Sequence, residues 1–156
     1  MTFEEFKTNV QQWAQERGIY EHSTPEAQLL KALSELGELA DAVIKDDIDG
    51  IKDAVGDVAV CMVNYARMAG VTIRKVWYEE SEHCESSTHI GIFASHEVGR
   101  RLGAFIDGGE NVDLDDLLYI AMNYGLDFMD CCEHAWNEIK DRKGRMVPGG
   151  AFVKDD

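Results

Sequence analysis

An all-α fold, a helical bundle of four to five main helices built on an antiparallel helical hairpin, follows from three features of this sequence. Apolar residues recur at three- and four-residue spacing along most of the chain, which is the period of one helix face. Strand-like alternation is nearly absent. Only two prolines occur, Pro25 and Pro148, and they bracket the body of the chain, so little between them breaks a helix except glycine. At 156 residues and 45% hydrophobic content, one packed domain over residues 1–156 is expected.

The elements can be justified in order. Phe3 to Arg17 reads as a first helix, with Phe3, Phe6, Val10 and Trp13 on one face and Gly18 ending it. Thr24-Pro25-Glu26 is a helix start: Thr caps, Pro takes the first helical position and Glu favours the positive end of the dipole. Leu29, Leu30, Leu33, Leu36, Ala40, Val43 and Ile44 then form a stripe to about Lys45. Asp46 to Gly50 is a tight acidic turn. The next helix carries Ile51, Val55, Val58, Met62, Tyr65 and Ala69, and Gly70 closes it. Residues 25–69 are therefore expected to form the antiparallel hairpin. Ile73 to Glu80 suggests a short helix, Ser81 to Ser87 a loop, Ile90 to Ile106 a helix and Gly108 to Asn111 a loop. Asp113 resembles a cap opening one long closing helix over residues 113–145. Its apolar positions are Leu114, Leu117, Leu118, Ala121, Tyr124, Phe128, Cys132, Ala135 and Ile139. The tail from Met146 to Asp156 reads as turn or loop.

Charge narrows the partners. Thirty Asp and Glu against fifteen Lys and Arg leave a net −15. A phosphate backbone repels so acidic a domain, which argues against a nucleic acid polymer as partner. No apolar run approaches the ~20 residues needed to cross a bilayer, and no membrane partner is expected. The charged N-terminal stretch does not read as a signal or transit peptide. Cys61, Cys84, Cys131 and Cys132 form no C-x-x-C and make a poor disulfide framework, so a reducing cytoplasm is the simplest compartment. His83, Cys84, His89, His96, Cys131, Cys132 and His134 show no recognised zinc spacing. The glycines of 99–109 lack the Lys-Ser/Thr of a phosphate loop.

The charge is uneven. Residues 21–57 hold ten acidic and three basic residues. Glu35 and Glu38, three apart, lie about 60° apart on a helix and share a face. Asp53 and Asp57, four apart on the following helix, are about 40° apart, and Asn64, seven beyond Asp57, returns to nearly the same direction. Facing helices would bring four carboxylates and an amide together. Like charges at such spacing repel by roughly 0.2–0.5 kcal/mol per exposed pair, and inward-pointing sets cost more unless a divalent cation neutralises them. Carboxylate oxygens suit a hard ion, Mg²⁺ with Mn²⁺ as substitute. The bland alternative is a solvated acidic face on two amphipathic helices.

The run Ser34-Glu35-Leu36-Gly37-Glu38-Leu39-Ala40-Asp41-Ala42, followed by Asp53-Ala54-Val55-Gly56-Asp57-Val58, resembles the MazG-like all-α nucleoside triphosphate pyrophosphohydrolases. The likeness is close over about residues 24–70. It resumes at Trp136 to Met146, which is similar to the closing helix of small, phage-type members. The family shares an E-x-x-E on one helix and an E-x-x-D on the next, which bind Mg²⁺. It cleaves the α–β phosphoanhydride of an NTP or dNTP to a monophosphate and pyrophosphate. Glu35, Glu38 and Asp57 carry over directly as metal ligands. The Glu expected at position 54 is Ala54 here, and the neighbouring Asp53 is inferred as its substitute. Glu35 or Glu38 would help deprotonate the attacking water. Small members assemble as homodimers or homotetramers, so the same is expected here, in the cytoplasm (of the host, where phage-encoded).

The basic end completes the picture. Residues 138–154 hold Lys140, Arg142, Lys143, Arg145 and Lys154 against Glu138 and Asp141. A triphosphate needs cations beyond the metal, which makes Asn137, Lys140, Arg142 and Lys143 candidate substrate-binding residues beside Asn64. The competing explanation is that such residues complement a helix C-terminus. Trp13 and Tyr20 are candidates for stacking on a base, or core. Two alternatives to the enzyme stand: a non-catalytic nucleotide-binding protein on the same scaffold, and an acidic helical interaction module.

Overall fold

The structure, a computed structural model, describes residues 1–74 and 111–155. Helices dominate it, packed against one another as an all-α bundle. Helix α1 (Phe3–Glu16) opens with a capping box in which Thr2 and Glu5 satisfy each other's backbone N–H groups. The single turn α2 (Ile19–His22) follows left-handed Gly18. Helix α3 (Pro25–Lys45) starts as its sequence predicts, with Pro25 in the first turn and Thr24 Oγ1 accepting from the Ala27 N–H at 3.1 Å. It ends on Asp46 in the left-handed region (φ 54°). Asp47 then caps α4 (Ile48–Ala69) by accepting from the Gly50 N–H, and Gly70 closes that helix.

Helix α4 is the centre of the bundle. Its principal neighbours are α3 on one side and α6 (Phe128–Ile139) on another, with α1 also against it. Buried residues run without interruption from Val58 to Asn64, so the middle of α4 is covered all round rather than along the single stripe its periodicity suggests. Gly56 permits the closest approach: a Cβ there would collide with the Cys131 carbonyl oxygen and meet Ala135 Cβ at 2.7 Å.

Helix α3, in contrast, buries only one flank. Ala32, Glu35, Leu36, Leu39 and Ala42 face inward. Leu30, Leu33 and Ile44, expected in the buried stripe, are exposed, at 67%, 38% and 80%. They share the three–four spacing but lie on the side away from α4's cover.

The long closing helix expected over 113–145 is corrected. Asp113 ends a short strand, Leu114 occupies the cap position without a side-chain bond, and helix α5 (Asp115–Asn123) stops at Tyr124. Gly125 takes a left-handed turn (φ 70°), and Asp127 caps α6 by accepting from the Met129 and Asp130 N–H groups at 2.8 and 3.0 Å. Apolar spacing continues across the break, since Tyr124 and Leu126 both pack on the core. The stop and start residues therefore override the period.

Among the described residues, four short strands accompany the helices. β1 (Thr72–Arg74) pairs in parallel with β2 (Asn111–Asp113) in the register Ile73↔Val112. Ile73 and Arg74, expected to open a helix, thus lie in a strand; the rest of 73–80, the loop at 81–87 and the helix at 90–106 fall outside the described residues. In the tail, expected as turn or loop, β3 (Gly144–Met146) and β4 (Phe152–Lys154) form an antiparallel hairpin with left-handed Gly150 in its turn. Cys61, Cys131 and Cys132 are buried and form no disulfide, and no helix among the described residues is long and apolar enough to cross a membrane.

Candidate functional site

The α3–α4 hairpin brings two of the four predicted carboxylates into the fold and leaves two outside. Glu35 is buried at 5% exposure, on the flank of α3 that carries Leu36 and Leu39. Glu38, one turn on, is exposed. On α4, Asp57 is half-buried and Asp53 is exposed. Ala54, where the resemblance calls for a Glu, is buried among the core residues.

Glu35 and Asp57 act on one another. Burial raises the Asp57 carboxyl to about 6, and the nearby charges of Glu35 and Asp53 push in the same direction. Arg142 and Lys31 oppose the rise, so both cations stand close enough for Asp57 to sense them. The Cys61 thiol, one turn beyond Asp57, is pushed above its usual range by burial and then by Glu35, with Asp57 adding to the effect. Cys61 is therefore an inert filler under the carboxylates.

Two basic side chains beside the acids were outside the carboxylate pattern. Lys31 Nζ donates to Glu35 Oε1 from one turn earlier on α3. His134 Nε2 on α6 lies 3.3 Å from Asp53 Oδ1. Spacing i,i+4 to Glu35 would have revealed the first; nothing in the sequence connects His134 to a residue so far away in the chain.

Asn64 is buried at 2% exposure, and its Oδ1 accepts from the Tyr20 hydroxyl at 2.8 Å. Burial pushes the Tyr20 phenol up to about 12, against the opposing charge of Arg67, so Tyr20 remains a proton donor. Tyr20 thus orients an amide rather than standing free.

The basic segment is tethered to α1. Arg17 Nε donates to the Arg142 carbonyl at 2.9 Å, and a second guanidinium nitrogen donates to the Lys140 carbonyl at 3.0 Å. The same guanidinium sits 4.9 Å over the Trp13 ring. Phe152 meets that ring edge-on at 5.6 Å. Trp13 is consequently a core residue, and its indole N–H is buried without a partner. Asn137 and Lys140 are exposed and bonded to each other, Lys140 Nζ donating to Asn137 Oδ1 at 2.8 Å. Arg142 is half-buried and Lys143 exposed.

The donor chemistry fits a hard divalent ion: a buried carboxylate, Glu35, and a half-buried one, Asp57, whose ionisation burial and the Glu35 charge disfavour. Among the described residues no three His, Cys, Asp or Glu side chains stand close enough to hold an ion unaided. Mg²⁺ ordinarily takes one or two protein carboxylates and completes its shell with waters and substrate phosphates, so the Glu35–Asp57 pair meets the minimum.

Residues 23–86 match the family model of the MazG nucleotide pyrophosphohydrolase domain. A protein of Haemophilus phage HP1 (strain HP1c1), described as "Uncharacterized 18.2 kDa protein in rep-hol intergenic region", is 46% identical over 59 residues. That alignment covers 38% of this chain and 36% of the phage protein. No solved structure matches. The carboxylate hairpin lies inside the matched segment, so residues 23–86 are similar to a MazG nucleotide pyrophosphohydrolase domain.

Proposed function

We propose that the chain hydrolyses nucleoside or deoxynucleoside triphosphates to a monophosphate and pyrophosphate, with Mg²⁺ as cofactor and Mn²⁺ as a substitute. The observation that carries this reading is the buried Glu35 on α3 sharing an electrostatic environment with Asp57 on α4, inside the segment that matches the family. Glu35, Glu38, Asp53 and Asp57 would hold the ion. When bound, it would neutralise phosphate charge and lower the pKa of a coordinated water.

The chain's own residues supply the rest. Glu35 or Glu38 takes the proton of the attacking water. Arg142, Lys140 and Lys143, on a segment that Arg17 fastens to α1, hold phosphate oxygens as point charges or forks. Asn64, its carbonyl oxygen engaged by Tyr20, offers its amide N–H₂ as a donor. Asn137 lends an exposed amide beside Lys140. Trp13 has its ring engaged and only its buried indole N–H to offer.

The proposed assembly is a homodimer or homotetramer, acting in the cytoplasm. The apolar residues left exposed on and beyond α3 support association.

Incubating the pure protein with a panel of NTPs and dNTPs, with and without Mg²⁺, and identifying the products tests the reading. Monophosphate plus pyrophosphate, dependent on Mg²⁺ and lost in Glu35→Gln and Glu38→Gln while the fold is kept, is the expected outcome. Saturable binding without turnover would instead favour a nucleotide-binding protein on this scaffold, a reading that the buried Ala54 favours. Full activity in Glu38→Gln would remove that residue from the site.

A further inference from the structure

Lys31 stands outside every role assigned above, yet it touches the most buried acid of the hairpin. Its ammonium donates to Glu35 Oε1, and the two side chains are 52% and 7% exposed. Helix pairing does not explain the contact. Within a helix, Glu placed N-terminal to Lys is the favourable i,i+4 order, and here the order is reversed. The need arises from Glu35: a buried carboxylate without a cation is costly. Lys31 also senses the charge of Asp57, so its ammonium serves the acids of both helices.

A divalent ion bound by Glu35 and Asp57 would compete for the same carboxylate and would repel the ammonium. Lys31 has somewhere to go. Its stem is half exposed, and lysine is a compact charge on a flexible four-carbon chain. A triphosphate held at the same ion presents anionic oxygens within the neighbourhood it would leave.

We propose that Lys31 is an exchangeable counter-ion, which holds Glu35 in the metal-free protein, yields it to the divalent cation and turns to a phosphate oxygen of the nucleotide. This rests on the metal-dependent reading above and deepens it. Metal alone must displace a cation and therefore binds weakly. Metal with nucleotide gives that cation a new partner, so the two ligands bind with positive coupling.

The test measures Mn²⁺ binding by calorimetry on the full chain, alone and with a nucleoside triphosphate analogue carrying a methylene in the α–β bridge. Lys31→Met keeps the stem and removes the charge; Lys31→Arg keeps the charge. Without nucleotide, Lys31→Met should bind Mn²⁺ about fivefold or more tighter than the parent, and the analogue should enhance its Mn²⁺ affinity less. Lys31→Arg should retain the parent's pattern. A second readout needs no variant: labelling of Lys31 by an amine reagent should rise on adding Mg²⁺ alone and fall when the analogue is added. Unchanged or weaker Mn²⁺ binding in folded Lys31→Met, or Lys31 labelling indifferent to both ligands, overturns the exchange alone. No Mn²⁺ binding to any form, with or without the analogue, overturns the metal-dependent reading as well.

Discussion

Asp57 is a carboxylate that the fold makes expensive to ionise. Burial first, then the charges of Glu35 and Asp53, raise its pKa from 3.8 to about 6. A raised folded-state pKa means that the unfolded chain releases the proton more readily. The group's stabilising contribution is therefore complete below about pH 3.8 and lost as pH rises to about 6. Ionised at neutral pH, it costs on the order of 3 kcal/mol. Thermal melts in chelator should show metal-free Asp57→Asn more stable than the parent at pH 7.5, with the advantage shrinking towards pH 5. Divalent metal should stabilise the parent and not the variant. A parent and variant with equal melting temperatures at pH 7.5 would mean that the carboxylate is better solvated than its surroundings suggest. Asp57 and Glu35 were both legible from spacing alone. The difference in depth between Glu35 and Glu38 was not, because a 60° arc on α3 separates a residue under α4 from one beside it, and periodicity cannot say where the neighbouring helix ends.

Among the elements, the α4–α6 contact decides how the site is framed. Gly56→Ala sets two effects against each other. Helix propensity alone would gain up to about 1 kcal/mol. The obstacle, however, includes the Cys131 backbone carbonyl, which cannot rotate away, and overpacking of this kind costs about 1–3 kcal/mol. Net destabilisation in a denaturant titration is expected, together with loss of the Asp53–His134 approach. The tether from α1 is the second frame. Arg17→Met removes the bonds to the Lys140 and Arg142 carbonyls and should lower stability by about 1–2 kcal/mol. It should raise KM for a triphosphate more than it lowers kcat, since the Arg142 charge would no longer be held near Asp57. The helix start at Thr24 could be read from the sequence because that cap is a local bargain between neighbours; the start at Asp47 lay inside the stretch expected as an acidic turn over 46–50, where Ile48 to Gly50 are in fact helical. The break at Gly125 was also written there, in Gly125 and Asp127, but the uninterrupted apolar spacing from Leu117 to Phe128 spoke for a single helix.

At the scale of the molecule, the exposed apolar residues of the hairpin are its least settled surface. Leu30, Leu33, Ile44 and Ile48 remain 38–80% exposed in a chain of net charge −15. Leu30→Glu combined with Ile44→Glu should reduce the mass seen by light scattering to that of one chain, with little change in the protomer's own helix content. If the parent is already monomeric at micromolar concentration, the homo-oligomer fails as a reading. The period placed Leu30, Leu33 and Ile44 with the core; only the number of helices packed on α3 could say otherwise, and that is a property of the whole fold. The encasement of α4 carries a dynamic consequence. Its amides from Val58 to Asn64 are shielded on every side and should open to deuterium only when the entire protein unfolds. The segment from Lys140 to Met146, pinned by a single arginine and a two-stranded ribbon, should exchange through small local openings instead. On the proposed reading, the carboxylate-bearing helix would then hold its shape through every turnover while the basic segment breathes.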